Sequence, residues 1–496
     1  MKKICCLALV LVCSLFGDEV PKIEKKEPPK EEISVTNHEI LINGHKIPYK
    51  ATAGTLFFKD EKGDAKAEFF YIAYTKEGED KTKRPITYCF NGGPGSSAIW
   101  LHLGVLGPKR VEIDHENFTP PPYKVIDNPY SFLDITDLVF IDPISTGYSR
   151  PVAGEDAKQF HGVEEDIKSV AEFIRLYTTR NNRWDSPKFL LGESYGTTRA
   201  AGLAAYLHDE NRMFLNGVIL VSAALNFQTL DDDPGNDLCY IVFLPSYTAA
   251  AWYHKKLDPE LQKQDLKKTL REVEDFAIGE YATALLQGDK LDPKQRAAII
   301  DKLSRYTGLS KQFIDLANLR VCQARFSKEL LRLQRRSVGR FDSRFLGIEN
   351  EACSNATSYD PSAEAVFGVY TAAFNAYVRE DLKWDRDAEY KVLANVWPWN
   401  YGKAASNKYL DVTDNLRNAM TRNPALRVYV GSGIYDLATP YFGTDYTFDH
   451  LGLDPSLRKN VQKGYYEAGH MMYIHFPSLE RFKDEVGDFI INTLKK

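Results

Sequence analysis

The chain is short of several things, and each shortage removes a class of function. Seven cysteines among 496 residues are too few for a disulfide-built scaffold. Three of them, Cys5, Cys6 and Cys13, fall in the first 17 residues, which leaves Cys89, Cys239, Cys322 and Cys353. No Walker loop, dinucleotide fingerprint or His-Glu-x-x-His occurs, so neither a nucleotide cofactor nor a catalytic metal is implied. The net charge is −5 with no long basic block, which argues against nucleic acid as a partner, because that role needs a clustered positive face. The longest apolar stretch, Ile4 to Phe16, is too short to span a bilayer. No internal repeat is evident. What remains is ordinary globular composition, 44% hydrophobic and 26% charged, at a length that suits one large α/β domain with an insertion.

The most informative segment is Leu191-Gly192-Glu193-Ser194-Tyr195-Gly196, the single Gly-x-Ser-x-Gly of the chain. An apolar run, Lys188 to Leu191, precedes it and a helix-favouring segment, Thr197 to Leu207, follows. Strand, sharp turn and helix are the context of a nucleophile elbow, in which the serine hydroxyl is lifted above a sheet. A serine needs a base, and the base an orienting acid. In this fold class they follow in the order acid, then histidine. Arg427-Val428-Tyr429-Val430 reads as a buried strand, and Asp436 falls in the loop just beyond it. His470 follows a second short aromatic run, after Gly469, in a setting that neither His450 nor His475 shares. Asp436 and His470 are therefore the expected partners of Ser194. A further strand, Pro85 to Phe90, ends in Asn91-Gly92-Gly93-Pro94-Gly95-Ser96-Ser97. Its side-chain-free backbone suggests an oxyanion hole from the N–H groups of Gly93 and Tyr195.

The amino terminus reads as a signal peptide over residues 1–17: Lys2 and Lys3, an apolar stretch, then Gly17. Residues 18–33 read as a disordered charged linker, since from Asp18 to Glu32 ten of fifteen residues are charged and three are proline. The protein is thus expected to be exported, to a periplasmic or extracellular location, with no stable membrane insertion afterwards. Of the remaining cysteines, Cys322 with Cys353 is the preferred disulfide, and Cys89, in a core strand, is expected free. Asn117 and Asn355 head glycosylation sequons. Residues 34–228 carry strand signals of a doubly wound sheet, ending with Gly217 to Val221. The texture then turns helical, with Asp258-Pro259 and Asp292-Pro293 as helix starts. Strand texture returns near Arg427. The expected architecture is an α/β-hydrolase: a doubly wound, mostly parallel sheet in two parts, 34–228 and 396–496, with an inserted helical cap over 229–395. Trp397-Pro398-Trp399-Asn400-Tyr401, just after the cap, suits either the cleft wall or the cap-to-core seam.

Asn91 to Ser97, Thr146-Gly147-Tyr148-Ser149, Gly192 to Gly196 and Gly469-His470-Met471 together resemble the signature blocks of the serine carboxypeptidase family, in family order. The resemblance implies an α/β-hydrolase that removes the last residue of a peptide without a cofactor, with Ser194 as nucleophile, His470 as base and Asp436 as its orienter. It also implies that Asn91, Gly92 and Glu193 hold the terminal carboxylate of the peptide substrate. Family members add a second acid fourteen residues after the asparagine, sharing a proton with the first. Here that place is Val105. Glu193 would then lack its partner and, if ionised, repel a substrate carboxylate. Arg199, one turn past Ser194, is a candidate compensator. Ser96 stands where many relatives have a disulfide cysteine, so the chain resembles a divergent, bacterial-type branch. Three other readings compete: an esterase or acyltransferase with the same triad, an endopeptidase or aminopeptidase of related fold, and a non-catalytic binding module.

Overall fold

The computed structural model describes residues 30–114 and 117–495. The expected signal peptide and most of the expected linker lie outside the described residues. From Glu31 onward the chain forms one compact unit. Its centre is a ten-stranded sheet. The strands are β1 (Ile33–Ile42), β2 (His45–Lys59), β3 (Ala65–Lys76), β4 (Ile86–Phe90), β5 (Asp137–Ile141), β6 (Lys188–Glu193), β7 (Gly217–Val221), β8 (Arg427–Gly433) and β9 (Val461–Tyr466), in the spatial order β1-β2-β3-β5-β4-β6-β7-β8-β9. The tenth, Arg150–Pro151, pairs with β3 off this path. The first four in space are antiparallel, and from β5 through β9 every pairing is parallel.

Parallel strands bury both faces, and β4, β5, β6 and β7 have no exposed residue. Their side chains alternate with period two. Tyr88, Val139, Leu190 and Val218 face one core together with the helices α1 (Val163–Arg180) and α2 (Tyr195–Asn211). Cys89, Phe140, Leu191 and Ile219 face the other. Each fully buried Leu or Ile here contributes roughly 1.5–3 kcal/mol relative to leaving it in water. This is the doubly wound sheet of an α/β-hydrolase.

Residues 229–395 divide between two cores. Helices α3 (Leu238–Tyr253), α4 (Leu266–Phe276) and α5 (Pro293–Thr307) bury Val242, Phe243, Val273, Phe276 and Leu303 in a core of their own, which reaches the main fold at Leu437. Asp292 caps α5, and Asp258 the short helix Pro259–Gln262, by accepting N–H groups from the residues just past each proline. Helix α6 (Pro361–Glu380), by contrast, packs Val366, Tyr370, Phe374 and Tyr377 into the main sheet's core, beside α7 (Phe476–Leu494). Between α5 and α6, a two-stranded ribbon, Arg336–Val338 with Leu346–Ile348, carries the connecting loop 339–345. The expected Cys322–Cys353 bridge is absent: Cys89, Cys239, Cys322 and Cys353 are all free thiols. Asn117 and Asn355 are exposed. Among the described residues no helix is long and apolar enough to cross a membrane.

Candidate active site

Ser194 sits at the turn between β6 and α2 with φ 59° and ψ −129°. A non-glycine residue held there costs of order 1–3 kcal/mol, and such strain persists where the surroundings fix it. The flanking glycine is a steric necessity: a Cβ on Gly192 would lie 2.2 Å from the Gly196 carbonyl oxygen. Ser194 is partly exposed, and among the described residues its hydroxyl has no hydrogen-bond partner. It opens into a cavity of about 620 Å³ that His470, Asn91, Gly93 and Glu193 also line.

The two residues expected to partner Ser194 come from the ends of β8 and β9. Asp436 is fully buried and its Oδ2 accepts from His470 Nδ1 at 2.7 Å. The remaining acceptor capacity of Asp436 is filled locally. Ala438 N–H and Thr439 N–H donate to Oδ1 at 2.6 and 2.9 Å, and Thr439 Oγ1 donates to Oδ2 at 2.6 Å. Burial pulls the His470 pKa down, but the charge and hydrogen bond of Asp436 outweigh it, so the imidazole is held above its ordinary value. With Nδ1 engaged, Nε2 is the nitrogen left for Ser194.

Residues that the sequence reading missed hold His470 in place. The loop between the ribbon strands lies over it: the Phe341 ring stacks on the imidazole at 5.2 Å between centroids, and the Phe341 carbonyl accepts from His470 N–H at 2.6 Å. Asp342, paired with Arg344, accepts from Gly469 N–H at 3.0 Å. Ser222 Oγ donates to the His470 carbonyl at 2.7 Å. No local signal links these residues to His470. Thr439 was legible, since an Asp-x-x-Thr turn offers its carboxylate a backbone N–H and a hydroxyl.

The loop after β4 lies against the elbow. A Cβ on Gly92 would stand 2.3 Å from Tyr195 N, so only glycine lets the two backbones meet. Gly93 has φ +105°, and neither its N–H nor that of Tyr195 has an acceptor among the described residues. Both are available to a developing oxyanion. Asn91 and Glu193 form the floor, 1% and 3% exposed. Asn91 Oδ1 accepts from Leu101 N–H at 3.2 Å, while its Nδ2 and Glu193 Oε2 are buried without a partner. Burial pushes the Glu193 pKa up to about 7, opposed chiefly by the charge on His470.

Val105 is fully buried among apolar side chains, and no acid occupies its segment. Arg199 does not reach Glu193. It is 1% exposed, donates to Asp166 at 2.7 Å, and donates to the Asn91 carbonyl at 2.6 Å, so it pairs with Asp166 and fixes the loop rather than compensating Glu193. Ser96 Oγ accepts from Trp100 Nε1 at 2.8 Å. Of the two tryptophans after the cap, Trp397 lines the cavity and Trp399 packs behind it, donating to Tyr195 Oη at 3.0 Å. Asp142, after β5, was also missed; burial above all pushes its pKa up to about 7, against hydrogen bonds from Ala98 N–H and Tyr390. Among the described residues no cluster of His, Cys, Asp or Glu could hold a metal ion.

Comparison with known proteins places this geometry. A sequence model of the family described as serine carboxypeptidase matches residues 44–475. Serine carboxypeptidase-like 36 of Arabidopsis thaliana is 25% identical over 171 residues, 33% of each chain. Serine-type carboxypeptidase F of Aspergillus niger is 26% identical over 152 residues, 30% of this chain and 26% of that one. These alignments thus span a third or less of the relatives' length. Among solved structures, a proline iminopeptidase of Mycobacterium smegmatis aligns over 89% of this chain and 98% of its own, at 14% identity and a TM-score of 0.39. The match over residues 44–475, on a hydrolase sheet that carries the blocks in order, means that the chain belongs to the serine carboxypeptidase family.

Proposed function

We propose that this protein is an exported serine carboxypeptidase that hydrolyses the C-terminal peptide bond of peptides through an acyl-enzyme. Ser194 Oγ attacks the scissile carbonyl while His470 takes its proton, with Asp436 holding the imidazole in the required tautomer. The oxyanion is received by the N–H groups of Gly93 and Tyr195. His470 then protonates the leaving amine, and water reverses the sequence to free the acid.

One observation favours a carboxypeptidase over an esterase with the same triad. A buried amide donor, Asn91 Nδ2, and a buried carboxyl oxygen, Glu193 Oε2, stand near each other on the floor of the Ser194 cavity, neither with a partner at hydrogen-bond geometry. Unsatisfied buried polar groups are costly, of order 1–3 kcal/mol each, and are kept where a ligand completes them. An amide N–H and a carboxyl that still carries its proton both donate to a carboxylate. A purely apolar acyl chain would leave both hungry.

The test is cleavage of a peptide library by purified protein, read by mass spectrometry, with matched C-terminal acids and amides. Single-residue losses from the free-acid end, suppressed by amidation, are expected. Ser194→Ala should lower turnover by about 10⁶-fold, as loss of the nucleophile does in other triads. Internal cuts, or equal cleavage of acid and amide, would reject the reading.

A further inference from the structure

Beside Glu193 stands a phenol, not a second acid. Tyr473 follows His470 by three residues, in the turn Met472–Ile474, and is 2% exposed. Its ring lies directly on Gly104, the residue before Val105. A Cβ on Gly104 would stand 2.4 Å from Tyr473 Cε2 and 2.9 Å from Tyr370 Oη. The absent side chain of Gly104 is therefore what admits the Tyr473 ring to this turn. Tyr473 Oη is buried and, like Glu193 Oε2 and Asn91 Nδ2, meets no partner at hydrogen-bond geometry among the described residues. Two of these three groups, Asn91 and Glu193, line the cavity, and the phenol behind them is close enough for its hydroxyl to favour the ionised form of Glu193.

We propose that Tyr473 is a positioning residue that stands in for the missing acid: its hydroxyl donates to Glu193, and protonated Glu193 donates in turn to the terminal carboxylate of the substrate. This rests on the carboxypeptidase reading above and deepens it. The difference from an acid pair is electrostatic. Two acids share a proton and titrate as a unit. A phenol buried here keeps its proton, because burial and the neighbouring Glu193 raise its pKa well above the usual value. The charge at the site is then set by Glu193 alone. The groups acting on Glu193 are His470 and Asp436 from the triad loops, Asn91 from the loop after β4, and Tyr473, while Tyr370 on α6 senses its charge. Asp436 is already committed to His470.

The consequence is a single-group alkaline limb. Affinity for a free C-terminus is full while Glu193 keeps its proton and falls about tenfold per pH unit above its pKa, which is about 7. A hydroxyl that donates to the carboxylate form lowers that pKa, so removing it moves the limb to higher pH.

The test is steady-state kinetics of the full chain and of Tyr473→Phe on an N-blocked dipeptide with a free C-terminus, from pH 5.5 to 9. The expected result is a KM rise that starts about one pH unit more alkaline in the variant, the size set by one hydrogen bond to a charged group. The acidic limb of kcat, which belongs to His470, should show no comparable displacement. Superimposable KM profiles would overturn the assignment, as would a uniform loss of kcat with KM unmoved. The same dipeptide as its C-terminal amide separates the two levels. If wild type cleaves acid and amide alike, carboxylate recognition itself fails. If wild type prefers the acid but Tyr473→Phe shifts nothing, only the role of Tyr473 fails.

Discussion

Asp436 and Glu193 are both buried carboxyls acting on His470, yet the protein solvates them in opposite ways. Asp436 receives two backbone N–H groups, one hydroxyl and the imidazole. Glu193 Oε2 receives no group at hydrogen-bond geometry, and its pKa rises to about 7 because burial is poorly offset. A carboxylate whose lone pairs are filled is fixed in charge and in place, so it can orient a base. A carboxyl left unsatisfied beside a cavity holds a proton and retains an unused donor. On the proposed function, the same side-chain chemistry serves as a strut in one position and as a receptor in the other, and the neighbouring donors decide which.

The strongest way to break this contrast is to weaken the strut. Asp436→Asn keeps the shape but offers an amide where His470 Nδ1–H needs an acceptor. The imidazole is then free to take the wrong tautomer. A fall in kcat of about 10⁴ is expected, the size seen for the same replacement in other triads. The Ser194 hydroxyl remains, so an active-site-directed fluorophosphonate should still label it, but slowly. Retention of kcat within tenfold would show that Asp436 does not orient the base.

A third buried acid extends the comparison to stability. Asp166, on α1, is paired with Arg199 on α2, and both are almost wholly shielded from water. Burial raises the Asp166 pKa and Arg199 opposes the rise. Arg199→Met would convert Asp166 into an unpaired acid like Glu193, but one with no cavity to face. Removing one partner of a buried pair costs about 3–5 kcal/mol, read as a lower urea midpoint at pH 7. The pH dependence has a defined sign. An acid whose folded pKa exceeds its unfolded value is penalised only where the unfolded chain would ionise it. The deficit relative to wild type should therefore shrink as pH falls below the variant's further-raised Asp166 pKa, and vanish where both folded forms carry the proton. A pH-independent deficit would place the loss in packing or in the Asn91 carbonyl contact instead.

These acids also show what the sequence could reveal. The positions of Ser194, Asp436 and His470 were legible because each depends on a few consecutive residues: a strand, a glycine-flanked turn, a loop. The double burial of β4 to β7 was legible for the same reason, as short apolar runs. Arg199 was misread because its partner Asp166 comes from a different helix, and helix-to-helix neighbours leave no trace in spacing. Phe341 was invisible for a stronger reason: it meets His470 only because a ribbon within the inserted segment folds back over the β9 end. The inserted segment reads as uniformly helical, yet α6 belongs to the main core. Amphipathic periodicity gives a helix its buried face but not the identity of the surface it is buried against.

The smallest expected effect is at Glu193 itself. Glu193→Gln preserves the volume and a donor but removes the titratable proton. In wild type, a free C-terminus should bind progressively worse above pH 7, as Glu193 ionises and repels it. In the variant the amide donates at every pH, so KM should stay level from pH 6 to 9. At pH 8, one unit above the wild-type value of about 7, the variant's KM should be about tenfold lower than wild type's. At pH 6 that advantage should vanish, because wild-type Glu193 then carries its own proton. A smaller effect accompanies it. The charge on Glu193 helps hold the His470 pKa up, so its removal should move the acidic limb of kcat slightly toward lower pH. If instead KM in Glu193→Gln climbs in parallel with wild type, the alkaline limb belongs to another group, and the unsatisfied carboxyl is not the receptor for the substrate's C-terminus.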